Sequence, residues 1–359
     1  MSRTKSAKHV IIIGAGPAGL AAAACLARRG VAYTLLEQGS HVSAALRKVD
    51  PEMVLLSPTS LSLLPGMDTE PATPTYLPFN QLVRELERYQ EKHGISVITD
   101  AEVTGVMCER GVFTVRYRGK DETEHLLQGS HVINATGIIS QPQLPPDFNP
   151  TTCSFRWLHS INVRASDLAP VRRLLVVGGG ASAAEVLERW LEVRSEDAHA
   201  WLSLRSAMIA SPHWILGIDV HYFVWLPEQV PTCLFGWRAG RLHEPMTGLA
   251  VRRAIKAKLI TRVPAVKSYE GETVAFRNGV QLRPDLVVFS TGFRYATEHY
   301  KRLVDYDPDG RPIVKNCEST RTRGLYLLGF RFGRTFASPY LRGIARDARY
   351  VAERIAREG

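Results

Sequence analysis

Two glycine-rich turns, each between a buried apolar strand and a helix, constrain this chain more than any other feature. The first is Gly14-Ala15-Gly16-Pro17-Ala18-Gly19, after Val10-Ile11-Ile12-Ile13. The second is Gly178-Gly179-Gly180-Ala181-Ser182-Ala183, after Leu174-Leu175-Val176-Val177. In such a turn the first glycine permits the sharp exit from the strand. The second removes a side chain from the path of a pyrophosphate. The third, or an alanine there, lets the helix pack on the sheet. The pyrophosphate then sits on free N–H groups at the positive end of a helix, and Pro17 suits a first-turn position. Two such turns in strand–turn–helix context imply two dinucleotides on one chain and electron transfer between them.

The end of the following strand tells which ribose is held. Glu37, with Gln38 after it, closes Ala32-Tyr33-Thr34-Leu35-Leu36, and a carboxylate there bonds ribose hydroxyls, as FAD or NAD requires. The matching place after the second turn carries Arg205 and Ser206. A guanidinium pairs with a 2′-phosphate in two charge-assisted bonds, so the second site reads as one for NADPH. Arg205 also reads as an ordinary exposed arginine. Two further strands end alike, Ile133-Asn134-Ala135-Thr136-Gly137 and Val287-Val288-Phe289-Ser290-Thr291-Gly292, where a backbone must pass close to a cofactor.

The order of these motifs, ending in Gly324-Leu325-Tyr326-Leu327-Leu328-Gly329, resembles flavoproteins with two dinucleotide-binding domains. Among them it is most similar to the class B flavin-dependent monooxygenases: flavin-containing monooxygenases, YUCCA-type enzymes and CzcO-like relatives. The resemblance covers nearly the whole chain. It implies an α/β fold of two Rossmann-like domains, an FAD-binding domain at 1–145 and 285–359 with an NADPH-binding domain at 146–284 inserted. It implies FAD near Gly14, Gly16, Pro17, Ala18, Gly19, Glu37, Gln38, Val103, Ala135, Thr136, Gly137, Thr291, Gly292, Gly329 and Leu341. It implies NADPH near Gly178, Gly180, Ala181, Ser182, Ala183, Arg205 and Ser206. In such enzymes NADPH reduces the flavin, which captures molecular oxygen as a peroxyflavin and passes one atom to a nitrogen, sulfur or carbonyl.

By the same resemblance Ser57 and Thr59, within a segment like the one lining the flavin, and His159, in the interdomain linker, are the candidate catalytic groups. Ser57 also reads as a turn cap before Pro58, and His159 as a structural histidine. The linker departs from the family's F-x-G-x-x-x-H pattern, with Cys153 at the Phe position, Phe155 at the Gly position and Val163 at the later aromatic; Ala181 replaces an asparagine. These departures keep a second reading open, a flavoprotein reductase or dehydrogenase that does not use oxygen productively. The tail Ser338-Pro339 reads as an N-cap and first helical residue.

Composition narrows the class. The chain has 359 residues, 45% hydrophobic, with a net charge of +10. No nucleic-acid module accompanies that charge. Arg321, Arg323, Arg331, Arg334, Arg342, Arg346 and Arg349 gather near the end, where a solvated basic face and cofactor contacts account for them. The five cysteines form no C-x-x-C pair, which argues against a redox disulfide. Their spacing with histidine suggests no metal. The expected setting is cytoplasmic, with no membrane span and no membrane partner. The aromatic stretch His213-Trp214 to Trp225, then Phe235 and Trp237, interrupts the second domain. It reads first as core packing, second as the wall of a site for an apolar or aromatic small molecule.

Overall fold

A computed structural model describes residues 8–68, 73–205, 210–232, 246–247 and 249–358. The apolar runs become central strands. His9–Ile13 lies between Ala32–Leu36 and His131–Asn134, and Leu325–Leu327 adds beyond; all four run parallel. Three short antiparallel strands extend this sheet to seven. The second sheet is five-stranded and wholly parallel, in the order Ile260–Val263, His199–Ser203, Arg173–Val177, Leu286–Phe289, Arg156–His159. A central strand of each sheet, His9–Ile13 or Arg173–Val177, delivers its chain to a glycine turn and a helix. Each half also carries a three-stranded antiparallel layer, 102–129 in the first and 266–282 in the second. The chain is thus one α/β plan used twice.

Packing explains the alanines. The helix Pro17–Ala27 is buried from Ala18 to Leu26 and lies against the last helix, Leu341–Arg357, through a core that includes Leu20, Ala24, Ala348 and Val351. Small side chains let a helix bury nearly all round, and the close fit gains dispersion energy. Lys8 closes the far end of the last helix by donating to the Ile355 and Ala356 carbonyls.

Two expectations change. The strand Leu286–Phe289, which a boundary at 285 places in the first unit, pairs within the second sheet. The chain returns after it, where Phe293–Arg294 pairs antiparallel with Gln141–Pro142. The last helix begins at Leu341 with Tyr340 as its N-cap and no side-chain cap. Ser338 instead accepts from the Arg334 and Thr335 N–H groups, closing the preceding turn.

The terminal arginines are spent largely on structure. Arg342 pairs with Glu228, Arg334 with Asp347, Arg321 with Asp305 and Arg323 with Glu358. Among the described residues no helix is long and apolar enough to cross a membrane.

Candidate functional site

The three glycines of the first turn divide their work as chain geometry demands. Gly14 has φ of +98°, and a Cβ there would come within 2.9 Å of the Ala135 carbonyl oxygen. At Gly19 a Cβ would lie 1.9 Å from the Gly14 carbonyl oxygen. At Gly16 it would meet nothing within 4 Å, because that position faces a large cavity. In the second turn Gly178 approaches the Ser290 carbonyl, Gly180 faces open space, and Ala183 is fully buried on the sheet.

The cavity, about 1090 Å³, is lined by Gly14, Gly16, Pro17 and Ala18 of the first turn and by Ala181 of the second. Glu37, Gln38, Ser57, Val103, Ala135, Thr136, Gly137, Gly329 and Leu341 also line it. Three helices begin at or beside this space, after Gly16, Gly180 and Tyr340, and none has a side-chain cap. Ala183 and Gly343 donate to the Gly180 and Tyr340 carbonyls, and the earlier first-turn N–H groups are left for an anion. Ser43 Oγ, on the wall, is buried with no partner among the described residues. The arrangement fits a dinucleotide: a side-chain-free approach, uncapped donors and a spare hydroxyl.

Glu37 is held for its task. The Ala15 N–H donates to Oε2 at 2.7 Å and the Gly39 N–H to Oε1 at 3.0 Å. Burial pushes its carboxyl above the ordinary carboxylate range, against those bonds and the Lys48 charge.

Of the remaining expected residues only Ser57 borders the cavity. Thr59 is buried away from the cavity and donates to the Pro74 and Thr75 carbonyls at 2.8 and 3.1 Å. Ser57 borders the cavity while sharing a hydrogen bond with Ser62 at 2.9 Å. His159 is 3% exposed and does not line the cavity. Its Nε2 bonds the Gly292 carbonyl at 3.0 Å and its Nδ1 accepts from the Ile161 N–H, while burial lowers its pKa. His159 thus joins the two crossings between the units, with both ring nitrogens engaged. Thr291 donates to the Gln143 carbonyl at the same crossing. Gly178, Gly180, Ser182 and Ala183 stand at the second turn outside the lining. Arg205 is exposed just past the strand His199–Ser203, and Ser206 lies outside the described residues.

Sequence reasoning missed the polar groups that tertiary folding brings to the wall. His299 bonds Asn134 Oδ1 at 3.0 Å, and Asn134 donates to Thr136 Oγ1 at 3.1 Å. The aromatic stretch splits. Val220, His221 and Val224 line the cavity, whereas Trp214, Leu216, Tyr222 and Phe223 are exposed rather than core; Phe235 and Trp237 lie outside the described residues. Asp219 gathers His213 and His221 around it, with ligand-type atoms within 4.8 Å of one another. The alternation Asp219-Val220-His221 was the available signal.

Burial pushes the His299 pKa from 6.5 to about 4. The unfolded chain binds that proton near 6.5, so between these values it holds more protons than the folded one. Stability should therefore fall as pH drops through this window, by about 3 kcal/mol in all. His299→Gln should flatten that part of a melting-temperature profile.

Comparison with known proteins agrees with this geometry. A curated Bacillus subtilis protein, described as an uncharacterized oxidoreductase CzcO, is 24% identical over 96% of this chain and 98% of its own. The rice indole-3-pyruvate monooxygenase YUCCA1 is 27% identical over 96% and 90%. A flavin-containing monooxygenase from Stenotrophomonas maltophilia superposes with a TM-score of 0.74 at 22% identity, over 97% and 98% of the chains. The bacillithiol disulfide reductase of Bacillus cereus does so at 0.76 and 18%, over 98% and 99%. The model of the pyridine nucleotide-disulphide oxidoreductase family matches residues 8–329. The chain belongs to that family, and it is an oxidoreductase of FAD and NADPH.

Proposed function

We propose that this chain is an NADPH-dependent, FAD-containing monooxygenase that places one atom of molecular oxygen on a nitrogen, sulfur or carbonyl of a small organic substrate. The observation that carries it is one cavity lined by residues of both glycine turns and, from the 211–232 insertion, by Val220, His221, Val224 and Glu228. FAD, reduced by NADPH, supplies the oxygen activation. The protein's part is to bind, orient and exclude water. Gly16 and the uncapped helix starts would hold the first dinucleotide. Ala181 and Arg205 would hold the second. The insertion docks on the first unit through the Ser60–Tyr222 hydrogen bond, the Thr232 N–H on the Arg334 carbonyl and the Arg342–Glu228 pair. That contact keeps bulk water from a site where leakage would release hydrogen peroxide. The YUCCA1 and Stenotrophomonas relatives support the reading. The free described cysteines support a cytoplasmic setting.

A second reading, a flavoprotein reductase, is favoured by the altered linker around His159 and by the likeness to the bacillithiol disulfide reductase. Turnover under oxygen-18 gas with benzyl methyl sulfide separates the two. Labelled sulfoxide is expected. Stoichiometric peroxide with no labelled product would favour the reductase.

Preference for NADPH should rest on Arg205. Arg205→Ala loses a charge-assisted contact and should raise the Michaelis constant for NADPH about 10- to 100-fold, with NADH nearly unchanged. Equal use of both by the wild type refutes the assignment.

A further inference from the structure

Asp219 is the most heavily bonded side chain of the insertion, at 2% exposure. Oδ1 accepts from the His221 backbone N–H at 2.7 Å and from His221 Nδ1 at 2.8 Å. Oδ2 accepts from Tyr76 OH and from His213 Nε2 at 2.9 Å. Four donors thus fill the carboxylate's acceptor positions, so none is left for a cation. Tyr76 reaches in from the first unit, so the cluster forms only when the insertion is docked.

The Asp219 bond fixes the His221 tautomer. With Nδ1 donating, Nε2 carries the lone pair. No described residue hydrogen-bonds Nε2, and His221 lines the cavity beside Val220, Val224 and Glu228. We propose that His221 and Asp219 form a proton-accepting pair that receives a basic amine substrate, His221 taking the ammonium proton and Asp219 orienting the ring.

The surrounding charges favour a cation. The charged groups acting on His221 are Asp219, Arg342 and His213; Tyr76 of the first unit meets Asp219 and Tyr222, and Glu188 stands near His213. Arg342 is spent: Nε and Nη2 each meet Glu228 at 2.6 Å, and its guanidinium stacks on Tyr340. The other lining cation, Lys48, acts on Glu37. Among the described lining residues, Arg342 is the one Lys or Arg that acts on the His221 ring. Burial, with Arg342 and His213, lowers the His221 pKa against the pull of Asp219, so the ring meets an ammonium in its neutral form.

The proposal rests on the monooxygenase reading, and the atoms balance on it. The ammonium N–H bond breaks and leaves its electron pair on nitrogen. That pair forms the N–O bond with one oxygen atom. The other oxygen leaves as water, with the hydride of NADPH and the proton His221 received. In sum R3NH⁺, O2 and NADPH give R3NO, NADP⁺ and H2O. Oxygen is reduced, nitrogen and NADPH are oxidised, and His221 ends as it began.

The test uses the full FAD-loaded chain with two near-isosteric probes, N,N-dimethylbenzylamine and benzyl methyl sulfide, and phenylacetate as the anionic control. Calorimetry at pH 7.5 reads binding; labelled product under oxygen-18 gas reads turnover. Wild type should bind the amine in preference to phenylacetate. His221→Ala should lose amine affinity about 10- to 100-fold, at least tenfold more than it loses for the sulfide. His221→Gln keeps an acceptor but cannot take a proton. It should regain amine binding while N-oxide formation falls about 100-fold and recovers as pH rises toward the amine's own ionisation. Equal losses on amine and sulfide, tighter phenylacetate binding, or no amine binding by the wild type each overturn the proposal. Amine binding that depends on His221, with no label in either product, would instead overturn the monooxygenase reading and leave the amine site standing.

Discussion

Gly16→Val should purify as a folded, colourless protein with FAD occupancy near zero. A Cβ at Gly16 meets nothing within 4 Å in the protein itself, so the fold has no reason to object. The added side chain instead fills the approach to the uncapped start of the helix Pro17–Ala27, where the pyrophosphate would lie. Circular dichroism should match the wild type while the flavin absorbance is lost. Wild-type flavin content would refute the assignment of the first turn.

Three residues on, the outcome reverses. Gly19→Ala adds a single methyl group, yet it would sit 1.9 Å from the Gly14 carbonyl oxygen. That neighbour is backbone in a turn already at φ of +98°, so it has little room to retreat. The helix must move off the sheet, and with it the contacts to the last helix. We expect a loss of about 4 kcal/mol or more, at the extreme of single substitutions, read as insoluble protein or a melting temperature far below that of the wild type. A soluble Gly19→Ala of unchanged melting temperature would show that this contact relaxes freely.

The contrast also explains what was legible in the chain. A nucleotide turn is dictated by backbone geometry, and backbone geometry dictates residue type, so Gly14, Gly16, Gly19 and Gly178 announce themselves in one dimension. Glu37 is legible for the same reason, since one strand sets its distance from the turn. The altered neighbours of His159 hid its role. Its partner Gly292 lies just before the distant crossing strand Phe293–Arg294, and only the fold shows that both ring nitrogens are engaged. The surroundings of Thr59 were hidden likewise, because its acceptors are the main-chain carbonyls of Pro74 and Thr75. The Asp219 cluster was read as part of an aromatic stretch, since Tyr76 stands far from it in sequence. Groups that act through tertiary contacts carry a weak local signal, here only the alternation Asp219-Val220-His221.

The paired crossing has an architectural consequence. The chain leaves the first unit at Gln143 and returns at Gly292, and the Gln143 N–H donates to the Gly292 carbonyl at 2.9 Å. Exit and entry are therefore adjacent, like the two ends of a cassette. A few glycines could bridge them, leaving every strand of the seven-stranded sheet in place. On this plan the second unit is a removable module, and its loss needs no strand of the first sheet to be re-threaded.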